Sequence, residues 1–340
     1  MTFRRAIWAR VLLYSSPVVL VTTLSYTGHL ENYYLYHPVR EITVTPADYG
    51  VPFEDVSFQA GDGVRLHGWY VRPPGPDRPV LLWAHGNAGN LSHRAHNIAT
   101  IHKELRAGVF LFDYRGFGRS EGKPWEPGLY DDARAAYAWL RRGVPPERIF
   151  VLGRSLGAAV AIRIVSEGAS ARGLILESPF ETLLAMGKEL FPFLPVSWLV
   201  SQKFDNARYL PLVRIPVFIL HGDADELVPI VHGRRLFALA NPPKRFHVIR
   251  RSGHNDTWRA GGKRYWDAWR SFLANPGQEV PRSFGTDATP GMEAIQISAA
   301  LKLSACEPLH LLGRASSCRE TDAHSGVRGA GSQFPANRLR

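Results

Sequence analysis

Six short runs of almost purely apolar residues punctuate the chain at 80–84, 109–112, 149–152, 173–176, 217–220 and 246–249. Stretches with helical spacing lie between them at 92–105, 129–141, 156–167 and 231–240, and a last one follows at 263–272. A strand without polar–apolar alternation has to be covered on both faces, and parallel strands need a crossover between them. The pattern therefore predicts an α/β fold, a mostly parallel central sheet with helices on both faces. Ahead of it, 53–59 alternates, Gly61-Asp62-Gly63 supplies a turn and 64–71 returns, which reads as an antiparallel hairpin leading into the sheet. Residues 182–203 break the rhythm with Phe191-Pro192-Phe193-Leu194-Pro195-Val196-Ser197-Trp198. This apolar, proline-punctuated stretch reads either as a crossover helix pair packed on the core or as a small helical cap over a pocket.

The junction Gly153-Arg154-Ser155-Leu156-Gly157 falls between an apolar strand and a helix of small residues. A strand that turns directly into a helix holds the corner residue in strained dihedrals and leaves no room for side chains two positions to either side. Serine at the corner with glycine on both flanks makes Ser155 a candidate nucleophile at the carboxyl edge of the sheet. The same spacing recurs at Gly118-Arg119-Ser120-Glu121-Gly122, but that copy follows a loop and runs into Lys123-Pro124, where no helix starts cleanly. Ser120 accordingly reads as a loop residue.

A serine hydroxyl needs a base within hydrogen-bond reach and an acid that fixes the imidazole tautomer. In α/β sheets such groups collect at the carboxyl ends of strands. Asp225, in His221-Gly222-Asp223-Ala224-Asp225, and His254, in Ser252-Gly253-His254-Asn255-Asp256, each follow a strand in this way. Glu177, just past the run at 173–176, is a second candidate for the acid, whereas Asp223 reads as a loop cap and Asp205 lies away from any strand end. Among the other histidines, His85 and His221 precede glycine inside strand-end motifs and read as structural, and His247 lies within a strand. Asp113 and Arg115 read as shaping their loop through hydrogen bonds, and Asp256 as the cap of the last helix.

Six motifs stand in order along the chain: His85-Gly86-Asn87-Ala88-Gly89-Asn90, Asp113-Tyr114-Arg115-Gly116-Phe117-Gly118, the Ser155 junction, Glu177-Ser178-Pro179-Phe180, the Asp225 loop and the His254 loop. With them the chain, over about 33–273, resembles the α/β-hydrolase superfamily, and within it the membrane-anchored Bem46-like branch of serine hydrolases. The resemblance implies a catalytic triad of Ser155, Asp225 and His254 that cleaves carboxylic esters or thioesters of a small-molecule or lipid-like acyl substrate, without cofactor or metal. It places the oxyanion hole at the backbone N–H groups of Asn87 and of Leu156, the latter at a helix N-terminus, and Gly86 and Gly89 then let backbone approach the substrate closely. A peptidase or amidase of the same fold and a non-catalytic membrane-anchored binding module are the alternatives. Serine at the corner excludes the carboxylate nucleophile of a dehalogenase or epoxide hydrolase.

Residues 11–28 carry no charge, and extended back across Arg10 to Ala6 the stretch is long enough to cross a bilayer. Arg4, Arg5 and Arg10 precede it, so 1–28 is expected to be a cytoplasmic stub and transmembrane signal anchor, with the catalytic domain, 29–275, on the non-cytoplasmic side. The rival is a cleaved signal peptide and a secreted enzyme, although Ser25-Tyr26-Thr27-Gly28-His29 offers no small-x-small cleavage site. After Asn275 the apolar periodicity fades, and 276–340 reads as a disordered tail. Both cysteines, Cys306 and Cys318, fall in it, which leaves the catalytic domain without a thiol nucleophile or a disulfide framework. A net charge of +11 raises the question of nucleic acid. The basic residues, mostly arginine, are scattered rather than striped with aromatics, so no nucleic-acid partner is expected.

Overall fold

The computed structural model describes residues 29–193 and 196–278. In chain order its elements are α1 (His29–Leu35), β1 (His37–Pro38), β2 (Glu54–Gln59), β3 (Arg65–Val71), β4 (Val80–Ala84), β5 (Ala88–Gly89), α2 (Ala95–Leu105), β6 (Gly108–Asp113), α3 (Glu126–Arg141), β7 (Ile149–Arg154), α4 (Leu156–Ser166), β8 (Gly173–Glu177), α5 (Leu183–Leu190), α6 (Val196–Leu199), α7 (Asn206–Tyr209), β9 (Val217–Gly222), α8 (Ile230–Leu239), β10 (Lys244–Ile249) and α9 (Thr257–Ala274). Eight strands form one sheet in the order β10-β9-β8-β7-β4-β6-β3-β2. The β2–β3 hairpin is antiparallel and β3 runs antiparallel to β6, while the pairings from β6 through β10 are parallel.

The apolar runs are explained by what lies on each face. Val80, Leu82 and Ala84 of β4 point into one core with Leu129 and Ala136 of α3, Ile162 of α4 and Leu236 of α8. Leu81 and Trp83 point into the other, with Ile98 of α2 and Trp269 and Phe272 of α9. With helices on both sides, neither face of a central strand tolerates a polar residue, and all five residues of β4 are buried. From β4 the chain passes first to β6 on one side and later to β7 on the other. That reversal opens a crevice at the carboxyl end of β4, where ligand sites form in open α/β sheets.

The described residues within 182–203 form two short helices, α5 and α6. Thr182 Oγ1 caps α5 by accepting from Ala185 N–H (2.9 Å), and within α5 only Met186 is buried. The two ends of the segment meet where Leu183 N–H donates to Lys203 O (3.0 Å). Glu126, at the start of α3, accepts from Lys203 and Phe204 N–H (2.5 and 2.8 Å) and fixes that base. The segment carries exposed Leu190, Phe191 and Phe193 on one side and buried Met186 and Val196 on the other. Among the described residues no helix is long and apolar enough to cross a membrane. The span expected at 6–28 and most of the tail expected at 276–340, both cysteines included, lie outside them.

Candidate active site

The sheet continues one residue past β7, where Ser155 N–H donates to Glu177 O (2.9 Å), and α4 begins at Leu156. Ser155 adopts φ 53° and ψ −120°. A non-glycine residue held there costs about 1–3 kcal/mol, which the surrounding structure must over-determine. Backbone contact does this: a methyl at Gly157 would stand 2.0 Å from Ala84 O, and one at Gly153 would stand 2.4 Å from Gly157 O. The end of β4, the turn and α4 therefore touch main chain to main chain, and Ser155 is half-buried at the crevice. Ser120 differs in every respect. It is buried, its hydroxyl donates to Asp113 O (2.7 Å), and it accepts from His67 N–H (2.9 Å).

Asp225 and His254, from the loops after β9 and β10, meet in a buried pair. His254 Nδ1 lies 2.8 Å from Asp225 Oδ2 and 3.1 Å from Oδ1. An ionised carboxylate only accepts, so Nδ1 carries the proton and Nε2 of the neutral ring is left with the lone pair. Leu227 and Val228 N–H also donate to Asp225 Oδ1 (3.1 and 2.8 Å). Burial pushes the Asp225 carboxyl up, but the hydrogen bond and charge of His254 and the Val228 amide outweigh it and hold it below the ordinary carboxylate range. Glu177, the other candidate acid, is committed elsewhere. Its carboxylate accepts from Thr257 Oγ1 (2.6 Å) and Tyr265 Oη (2.9 Å) and lies 3.3 Å from Arg154 Nε.

Arg154 is a contributor that motif reading did not single out. From the position before Ser155, its Nη2 donates to His254 O (2.6 Å) and Asn255 Oδ1 (3.1 Å), so the serine's own strand grips the histidine loop. Behind it lies a small cavity with room for about one water, lined by Trp83, Trp258, Trp266 and Trp269 together with Arg154 and Glu177.

The loop after β4 brings the remaining candidates. Among the described residues nothing accepts from the N–H of Asn87 or of Leu156, and the latter is one of the unpaired donors that every helix N-terminus presents. A methyl at Gly86 would find its nearest neighbours, Arg154 O and Ser155 Cβ, at 3.7 Å, so protein packing alone does not demand glycine there. His85 is fully buried, with Nδ1 2.7 Å from Gly86 O, and burial holds it below the ordinary histidine range. His221 Nε2 lies 2.8 Å from Val228 O.

Asp113 accepts from Leu91 N–H (3.0 Å), Arg115 pairs with Asp132 (2.8 Å) and Asp62 (2.8 Å), Asp223 accepts from Arg251 N–H (2.6 Å), and Asp205 caps α7 through Arg208 N–H (3.0 Å). Asp256 corrects the expectation made for it. It occupies the position before α9 but its side chain makes no capping bond, and instead accepts from Ser252 Oγ (3.0 Å). Among the described residues no group of three or more His, Cys, Asp or Glu side chains is arranged to hold a metal ion.

A family model described as Hydrolase_4, serine aminopeptidase, S33, matches residues 75–209. The α/β hydrolase domain-containing protein WAV2 of Arabidopsis thaliana is 32% identical over 291 residues, which span 78% of this chain and 94% of that protein. Protein bem46 of Schizosaccharomyces pombe is 31% identical over 290 residues, 80% of this chain and 96% of that one. Among solved structures, an esterase of Pyrococcus furiosus is similar with a TM-score of 0.59 at 26% identity, covering 71% of this chain and 97% of its own.

Proposed function

The chain belongs to the α/β-hydrolase superfamily, in its Bem46-like branch, and on that premise we propose that it is a serine hydrolase cleaving carboxylic ester or thioester bonds through an acyl-enzyme on Ser155. The observation that carries this reading is the buried Asp225–His254 pair, tied through Arg154 to the turn that holds Ser155 at φ 53°. In this mechanism His254 Nε2 takes the Ser155 proton as Oγ attacks the acyl carbon, and Asp225 stabilises the imidazolium that forms. The N–H groups of Asn87 and Leu156 receive charge that exists only on the tetrahedral oxygen. The proton passes to the leaving group, and water, activated by the same histidine, clears the acyl-enzyme.

Fluorophosphonate labelling tests the assignment. Ser155→Ala should abolish it and Ser120→Ala should leave it intact, because the Ser120 hydroxyl is already spent on Asp113 O. Labelling that survives loss of Ser155 overturns the nucleophile, and a parent chain that never labels favours the non-catalytic binding module. The family description favours a second reading, a peptidase or amidase of this fold. Parallel series of p-nitrophenyl esters and aminoacyl anilides separate the two, since turnover of anilides without esters would displace the esterase.

We further propose that the chain is organised as an anchor at 1–28, a catalytic domain at 29–275 and a tail at 276–340, with the catalytic domain on the non-cytoplasmic side. The three arginines ahead of the uncharged 11–28 support this orientation. Membrane fractions should retain the chain in alkaline carbonate, and protease should reach the catalytic domain only from the non-cytoplasmic face. A soluble chain shortened at its N-terminus would point to the signal peptide instead.

A further inference from the structure

Residues 35–41 cross the loop that follows β4 and bond to it repeatedly. His37 N–H donates to Asn87 O (2.9 Å) and Val39 N–H to Gly89 O (3.2 Å), the two-residue parallel pairing of β1 with β5. From the loop, Asn87 Nδ2 donates to Leu35 O (2.8 Å), and Asn90 Nδ2 donates to Val39 O (2.9 Å) and Glu41 O (2.5 Å). The carbonyl and the side chain of Asn87 are thus both held by one short length of chain, while the Gly86 carbonyl, which shares its peptide plane with the Asn87 N–H, is held by His85 Nδ1 (2.7 Å). Arg94 supports the loop from its other end, through Ala88 O (2.5 Å) and Asn90 O (2.9 Å).

This length of chain is itself fastened at both ends. Val39 O accepts from Gly118 N–H (3.0 Å), and the Arg40 guanidinium donates to Gly118 O (3.2 Å) and to Ser120 O. At the other end the Tyr36 hydroxyl bonds Gln202 Oε1, which also accepts from Glu126 N–H (2.8 Å), and Gln202 Nε2 donates to Asn32 Oδ1 (2.7 Å). Gln202 lies at the trailing end of the 182–203 segment, so one strap joins that segment to the loop after β4.

We infer that residues 35–39 are a positioning strap that aims the Asn87 N–H at the oxyanion. The inference rests on the serine-hydrolase reading and extends it to residues outside the six motifs. A backbone donor contributes to rate only as far as it is aimed at the tetrahedral oxygen, and a misplacement of about 1 Å costs on the order of a hundredfold. Since that oxygen bears its charge only in the transition state, loosening the strap lowers kcat and leaves KM nearly unchanged.

The test uses the full chain and p-nitrophenyl butyrate. Asn87→Ala removes the bond to Leu35 O while keeping the backbone donor, and Tyr36→Phe unfastens the strap from Gln202 without touching the loop. Tyr33→Ser, at an exposed position of α1, is the control and should match the parent. Asn87→Ala should lower kcat about ten- to a hundredfold with KM within about twofold, and should weaken a trifluoromethyl ketone inhibitor by the same factor. Tyr36→Phe should act in the same direction by several-fold, and both variants should still label at Ser155. A parent-like kcat and inhibitor affinity in Asn87→Ala, or a lowered thermal midpoint as its only change, overturns the strap. If Asn87→Ala does not fold, Tyr36→Phe decides by the same criteria. A parent that fluorophosphonate does not label removes the serine-hydrolase reading and the strap with it, an outcome distinct from a labelled parent with indifferent variants.

Discussion

Asp225 and Glu177 both stand at strand ends, and their amides should behave differently because their partners do. Asparagine at 225 keeps the volume but presents an NH2 or a neutral oxygen to His254 Nδ1, which favours the wrong tautomer and removes the charge opposite imidazolium. Asp225→Asn should lower ester turnover by at least about a thousandfold with the fold intact. Glu177 faces Thr257, Tyr265 and Arg154, all donors, so glutamine there sets a donor against a donor in a buried place. Glu177→Gln should appear as about 1–3 kcal/mol of lost stability, with turnover reduced less than about tenfold. Ester kinetics beside thermal unfolding check both. Parent-like turnover in Asp225→Asn, or a collapse confined to Glu177→Gln, reassigns the acid. Ser155, Asp225 and His254 could be singled out from sequence because each lies just beyond an apolar run, next to or near a glycine. Arg154 could not, since its contact with His254 O spans a hundred residues and leaves no local pattern.

At the scale of elements, the buried parallel strands were legible because burial on both faces imposes a composition that survives without any neighbour in view. Their carboxyl ends were not. β6, β7, β8 and β9 run one or two residues beyond the apolar runs to Asp113, Arg154, Glu177 and Gly222, because the positions that build the site are polar or glycine while the backbone stays paired. α9 starts six residues before its periodic stretch, for its first turns contain Gly261 and Gly262, the latter at φ 50°, and they carry little apolar signal. β1 and β5 are two residues each, too short for any period to register, and β1 ends on a proline. The strap was hidden for that reason, although backbone and side-chain bonds join it to the loop after β4. Across 182–203 composition showed a break in the rhythm, but the bonds that hold the segment's trailing end run to Glu126, far away in sequence.

For the whole molecule, buried histidines set the direction of the acid response. Burial holds His85, His221 and His247 below the ordinary histidine range. In the unfolded chain they titrate near about 6.5, so below that pH the unfolded state binds protons that the folded state refuses, and stability present above it is lost as pH falls. Asp132 works the other way: burial pushes it up to about 6, so the fold retains a proton there that the unfolded chain releases. One opposing group does not offset three, and the carboxylate of Asp225, held low, adds to the loss at still lower pH. The thermal midpoint should therefore drop by several degrees between about pH 7.5 and 5.5; a midpoint that stays level or rises over that interval contradicts this account. The four indoles around the Arg154–Glu177 pair have a practical use of their own. Of the nine tryptophans, Trp83, Trp258, Trp266 and Trp269 share that one small cavity beside the His254 loop. Nearly half of the tryptophans thus report on the packing around Arg154 and Glu177, and ultraviolet emission follows that packing without an added dye.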